Sequence, residues 1–153
     1  MKRLQATVRG AAAQERGSAL IEFVVLAVVL LIPCLYLVIT LGSVQSAVFA
    51  ADVLARDAAR IHATQSDPVQ ADARVQRLQS QLLEDYGLDP DQSLEVLCSA
   101  SPCATPGGQV TVSVSISVPI PGLGPLLGEG GPFRVRSSHL VEVDQFRASG
   151  GAR

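Results

Sequence analysis

One stretch constrains this chain before anything else. In Ile21–Leu41, IEFVVLAVVLLIPCLYLVITL, eighteen of 21 residues are apolar, the exceptions being Glu22, Pro33 and Thr40. As a helix it rises about 31 Å, matching a hydrocarbon core of about 30 Å. A core helix of a small soluble domain keeps a polar stripe toward solvent, and this run has none. A secretory signal has an apolar stretch of only about 7–15 residues and does not open it with a carboxylate. Val48-Phe49-Ala50 ahead of Ala51 does meet the small-residue pattern of a signal cleavage site. Release of a small secreted domain after Ala50 therefore stands as an alternative to the leading expectation, a transmembrane helix over residues 18–42.

The charge is segregated about this run. Residues 1–17 carry Lys2, Arg3, Arg9 and Arg16 against Glu15, a net +3, and the remaining 136 residues carry 8 basic and 13 acidic side chains, a net −5. Loops rich in Lys and Arg stay on the cytoplasmic side. The expected topology is a basic cytoplasmic leader over 1–17, a single pass through the cell membrane, and an acidic extracytoplasmic body. The formal net charge of −2 excludes a basic nucleic-acid binder. With 48% hydrophobic and 17% charged residues, the chain as a whole is not a disordered one.

Glu22 is the most informative residue. A carboxylate inside an apolar span has two readings. It lies near the start of the helix, where headgroups and the positive end of the helix dipole favour a negative charge. Alternatively, it seeks a cation within the membrane, which makes it a functional group. At these residues Arg16-Gly17-Ser18-Ala19-Leu20-Ile21-Glu22-Phe23 resembles the processing site of type IV pilin-like proteins, in which a short basic leader ends in Gly. The longer stretch, through Pro33 to Ala58-Ala59-Arg60, is similar to the TadE-like family of minor pilins or pseudopilins of tight-adherence (Flp-type) pilus assembly. A weak echo follows in Glu142–Arg147. The resemblance implies cleavage between Gly17 and Ser18 by a prepilin peptidase, with Glu22 as the fifth residue of the mature chain. It also implies partnership with other pilin-like subunits and the assembly machinery, alongside membrane lipid. Main type IV pilins begin their mature chain with an aromatic residue; Ser18 there points away from a major subunit. An α-amino group freed on Ser18 is a cation that an ion pair with the Glu22 carboxylate would satisfy at neutral pH. Ser18 also reads as a helix N-cap, since Ser favours that position.

Beyond the membrane the pattern stays helical. Val44, Ala47, Val48, Ala51, Leu54, Ala55, Ala58 and Ile61 recur at three- and four-residue spacing, with Asp52 and Arg56 at i,i+4. This predicts a stalk over 43–65 that continues one helix from Leu20 to Ala63. Asp67-Pro68 opens a second helix, with Val69, Ala73, Leu78, Leu82, Leu83 and Tyr86 as its apolar face and Gly87 as its cap. Three strands are expected: Ser93–Ser99, an alternating Val110–Ile120, and Phe133–Phe146. The fold class is therefore α+β: a long N-terminal transmembrane helix, a second helix and a small antiparallel sheet, with the outer domain over 66–147 and a tail over 148–153. The Pro/Gly-rich loop 119–132 reads either as a mobile connection or as a binding loop.

Cys98 and Cys103 bracket Ser-Ala-Ser-Pro, and outside the cytoplasm a disulfide is the natural pairing. Cys34, inside the apolar run, reads as a small apolar residue. No metal or other cofactor is expected, since the Cys pair lacks a second pair and His62 and His139 lie far off. Both histidines are expected at the surface. The chain holds no G-x-S-x-G, Walker-type or His-Glu-x-x-His motif, and the reading is a non-enzyme. Glu84, Asp85, Asp89 and Asp91 lack the Gly-centred spacing of a calcium loop and read as a solvated turn.

Overall fold

The computed structural model describes the backbone of residues 2–118 and 133–146, and the side chains of 19–118 and 133–146. The fold is α+β, in the order α1 (Lys2–Thr64), α2 (Pro68–Asp85), β1 (Ser93–Cys98), β2 (Gln109–Val118) and β3 (Phe133–Glu142). Loop 119–132 and the tail 148–153 lie outside the described residues. The chain divides into two compact units, Met1–Thr40 and Leu41–Arg153.

In the first unit α1 is helical from Lys2, well ahead of the expected start at Leu20. Ser18 is therefore not an N-cap. The segment before it is rich in Ala, Gln, Glu and Arg, which lose little on entering a helix. Pro33 sits inside the helix without ending it. Its missing N–H frees one carbonyl a turn earlier, a defect that membrane helices accommodate. The Thr40 hydroxyl donates to the Tyr36 carbonyl at 2.9 Å, so its proton is bonded within the helix. From Leu20 to Leu41 the large apolar side chains all face outward. This is a helix long and apolar enough to cross a membrane.

In the second unit the same helix changes character. Ala47, Ala50, Ala51, Leu54, Ala55, Ala58 and Ala59 are fully buried. Their small side chains form one stripe, against which α2 and the sheet build a common core. Val48 and Ile61, expected on that stripe, are exposed and half-buried, while Ala50, Ala59 and Ala63 take their places. Asp52 joins Arg56 at 3.4 Å as expected, and also accepts from the Ser137 hydroxyl of β3 at 3.5 Å.

Helix α2 starts and stops where its sequence signals. The Asp67 carboxylate accepts from the Val69 amide at 2.9 Å, and Pro68 occupies the first turn. At the other end the Gly87 amide donates to the Glu84 carbonyl at 2.9 Å and the Leu88 amide to the Leu83 carbonyl at 2.8 Å. This is a Schellman closure, with Gly87 at φ +65° and Leu88 buried beside Leu83. The apolar face is partly re-phased relative to expectation. Ala71, Val75 and Leu83 are buried and Leu78 and Leu82 pack beside them, while Val69 is 75% exposed and Tyr86 39%.

The sheet has the order β1-β2-β3, antiparallel throughout. Central β2 alternates as its sequence predicts: Val110, Val112, Val114, Ile116 and Val118 are buried. Strand β1 ends at Cys98 and β3 at Glu142, both short of the expected Ser99 and Phe146. The shortening of β3 has a visible cause. Val143 leaves the ladder to exchange hydrogen bonds with Gly107 and Gly108, and Asp144 caps the Phe146 amide at 2.8 Å. Gly108 is required there, because a Cβ would lie 2.9 Å from the Thr105 carbonyl oxygen. Cys98 and Cys103 are joined by a disulfide in the β1–β2 connection.

Candidate functional site

The residues singled out for processing lie together at the head of the apolar helix. Gly17 and Ser18 fall inside α1, and Glu22 follows Ser18 by four residues. On a helix that spacing puts two positions one above the other on a single face, about 5–6 Å apart at Cβ. Glu22 is exposed, as are its neighbours Ile21 and Phe23, at 65% and 72%. Around and beyond it the surface is apolar on every side, down to Leu41. Hydrolysis at Gly17–Ser18 would place an ammonium one turn from the Glu22 carboxylate, on a surface with no other described charge before Asp52. In a low-dielectric surrounding that pair attracts far more strongly than in water. Cys34, a free thiol, lies exposed on the same surface.

The remaining residues of interest belong to the second unit. The Cys98–Cys103 bridge fixes a six-residue turn and takes both thiols out of any metal-binding role. Among the described residues no group of three His, Cys, Asp or Glu side chains is placed to hold a metal ion. The acidic residues near the end of α2 form a solvated turn, in which the Asp89 carboxylate accepts from the Asp91 amide at 2.9 Å.

His62 corrects the sequence reading. It was expected on the polar flank of α1, yet it is only 5% exposed. The stripe that buries Ala55 and Ala59 continues at i+3 to His62, and α2 lies across it. Its Nε2 sits 3.7 Å from the Asp72 carboxylate of α2. Burial holds the imidazole pKa below 6.5, with Asp72 opposing that shift only in part. His139 is half-buried rather than open, because it faces the core side of β3 opposite Val112. A helical-wheel count extended through Thr64 would have found His62; its polar character hid it.

The structure also assembles a feature that sequence reasoning missed. Asp57, Arg60, Ile61 and Thr64 of α1 face Arg74, Arg77, Leu78 and Gln81 of α2 across a cleft of about 530 Å³. Each set follows i, i+3, i+4, i+7, so each helix contributes one straight wall. A neighbouring cleft shares Arg74 and Arg77 and extends along α2 to Val69.

No family model matches the chain, and no curated protein or solved structure matches it.

Proposed function

We propose that this chain is a TadE-like minor pilin or pseudopilin of tight-adherence pilus assembly, cut between Gly17 and Ser18 by a prepilin peptidase. The observation that carries the proposal is the position of Glu22: one helical turn after the scissile bond, at the head of a helix whose large apolar side chains from Leu20 to Leu41 lie exposed. Hydrolysis leaves a carboxylate on Gly17 and an ammonium on Ser18. The ammonium pairs with Glu22, of the same chain or of a neighbouring pilin-like subunit, and so sets the register of packed apolar helices. Removing one partner of such a buried pair is costly, because it strands the other charge.

The basic leader favours an N-terminus in the cytoplasm and a body on the far side of the cell membrane. The Cys98–Cys103 disulfide supports that sidedness, since such bonds persist in oxidising compartments. Release after Ala50 finds less support. Ala47 and Ala50 are both wholly buried in the core of the body, and a chain starting at Ala51 would lose them. The role is structural and non-enzymatic.

A plain single-pass anchor carrying a binding domain is the competing reading, and complementation separates the two. In a host strain lacking the gene, the wild-type chain restores pilus assembly and the Glu22→Ala chain, inserted at equal level, does not. Equal restoration by Glu22→Ala would favour the plain anchor.

A further inference from the structure

The body, residues 41–153, carries 8 basic residues against 12 acidic ones, yet three of the eight, Arg60, Arg74 and Arg77, line one cleft with a single carboxylate, Asp57. None of the three is in an ion pair among the described residues, whereas nearby Arg56 is paired with Asp52. Arg77 is partly fixed, since its Nε donates to the Ala73 carbonyl at 3.2 Å. Ile61 and Leu78, both half-buried, give the cleft an apolar floor. With its neighbour the groove follows α2 from Val69 to Gln81. Twelve residue-to-residue rises along the helix make it about 18 Å long. That is too long for one small ion, and it fits a segment of chain bearing several carboxylates and an apolar side chain.

The same molecule displays such a segment. Glu84, Asp85, Asp89 and Asp91 are exposed around the end of α2, and the 39% exposed Tyr86 stands among them. The Schellman closure and the Asp89 turn hold this segment in shape. It begins one turn past Gln81, where the groove ends, and Glu84 and Asp85 lie about 10–17 Å along the helix axis from Arg77 and Arg74. The two surfaces are thus complementary in charge and kept apart within one chain.

We propose that the arginine groove between α1 and α2 receives the acidic, Tyr86-bearing turn of a second copy of this chain. The carboxylates meet Arg60, Arg74 and Arg77, with the guanidinium planes suited to bidentate contact, and the Tyr86 ring stacks against a guanidinium or the apolar floor. Because groove and turn are different surfaces, the contact is head-to-tail and leaves one of each free for further copies. It does not depend on leader cleavage.

The test uses the full chain in detergent micelles, with self-association followed by sedimentation equilibrium. Three preparations are compared with wild type: Arg74→Glu/Arg77→Glu, Glu84→Lys/Asp85→Lys, and an equimolar mixture of the two. All four positions are exposed, so the fold is retained. The wild-type chain associates in a salt-sensitive series. Each reversed chain alone associates at least tenfold more weakly, because a groove with glutamates in place of Arg74 and Arg77 repels the acidic turn, and a turn with two lysines and two aspartates has lost its net negative charge. The mixture returns to within about threefold of wild type, since each reversed surface meets an opposite one. A wild-type chain that stays monomeric, reversed chains that associate as wild type does, or a mixture that restores nothing would each overturn the proposal. Association driven by the apolar helix alone is of the second kind. Cleavage of the leader is read separately by mass, so the failure of either proposal leaves the other measurable.

Discussion

Helix α1 uses hydrophobicity in two opposite ways within one element. Before Thr40 it carries large apolar side chains that lie open: Leu30 is 73% exposed and Phe23 72%. After Leu41 its buried face is built largely of alanines, seven of them, each no more than 5% exposed. The size of an apolar side chain therefore does not decide its burial here; its distribution around the helix does. An apolar surface on all sides cannot be covered by one small chain and calls for lipid or other helices. A one-sided stripe of small residues lets α2 and the sheet approach closely and makes a core with few large groups. The difference also separates the two regions: the first half is long and apolar enough to cross a membrane, and the second holds a folded body.

Matched truncations break this comparison most sharply. Leu54→Ala opens a cavity in the body and should cost about 2–5 kcal/mol in denaturant unfolding, whereas Leu30→Ala should change the same unfolding by less than about 0.5 kcal/mol. Equal effects would mean that the two halves share one core. Reduction of Cys98–Cys103 comes next. Closing so short a loop is worth about 2 kcal/mol in the chain-entropy account, to be read from unfolding with and without reductant. Asp67→Ala removes the cap of α2 and should cost about 1 kcal/mol.

The smallest effect is a slope with pH. The unfolded His62 binds a proton near pH 6.5, while burial holds the folded pKa lower. Stability is then full above pH 6.5 and falls as the pH drops from 6.5 toward the folded value. Asp72 lies at 3.7 Å and Asp91 lines the same cleft, so His62→Gln should flatten the slope below pH 6.5 without removing the part owed to the carboxylates. An unchanged slope would remove His62 from this account.

Much of the architecture was legible in the sequence because strong local signals agree with the tertiary structure. Asp67-Pro68 and Gly87 bound α2 by hydrogen bonds that involve only near neighbours. The alternation of β2 survives because a strand has two faces and one register. The pairing of Cys98 with Cys103 follows from their spacing and the expected compartment. What was not legible depends on contacts between elements. In Ala-rich α1 and in α2, the buried face is set by what packs on it, so Ala71 and Val75 are buried while Val69 is not. His62 is buried because α2 covers it, although nothing in its own neighbourhood of sequence is unusual. The arginine groove joins residues 57–64 to 74–81, and its complementary walls exist only once the two helices pair. At the head of α1, Glu22 stood out in the sequence by its chemistry, and the exposure of the span around it was expected from composition.

The central claim, a processed pilin-like chain, is tested most directly by the intact mass of the protein isolated from the membranes of its native host. The account predicts a chain that begins at Ser18, and a full-length chain when the prepilin peptidase is absent. A chain that keeps its leader through Gly17 with the peptidase present, or one that begins at Ala51, would contradict it.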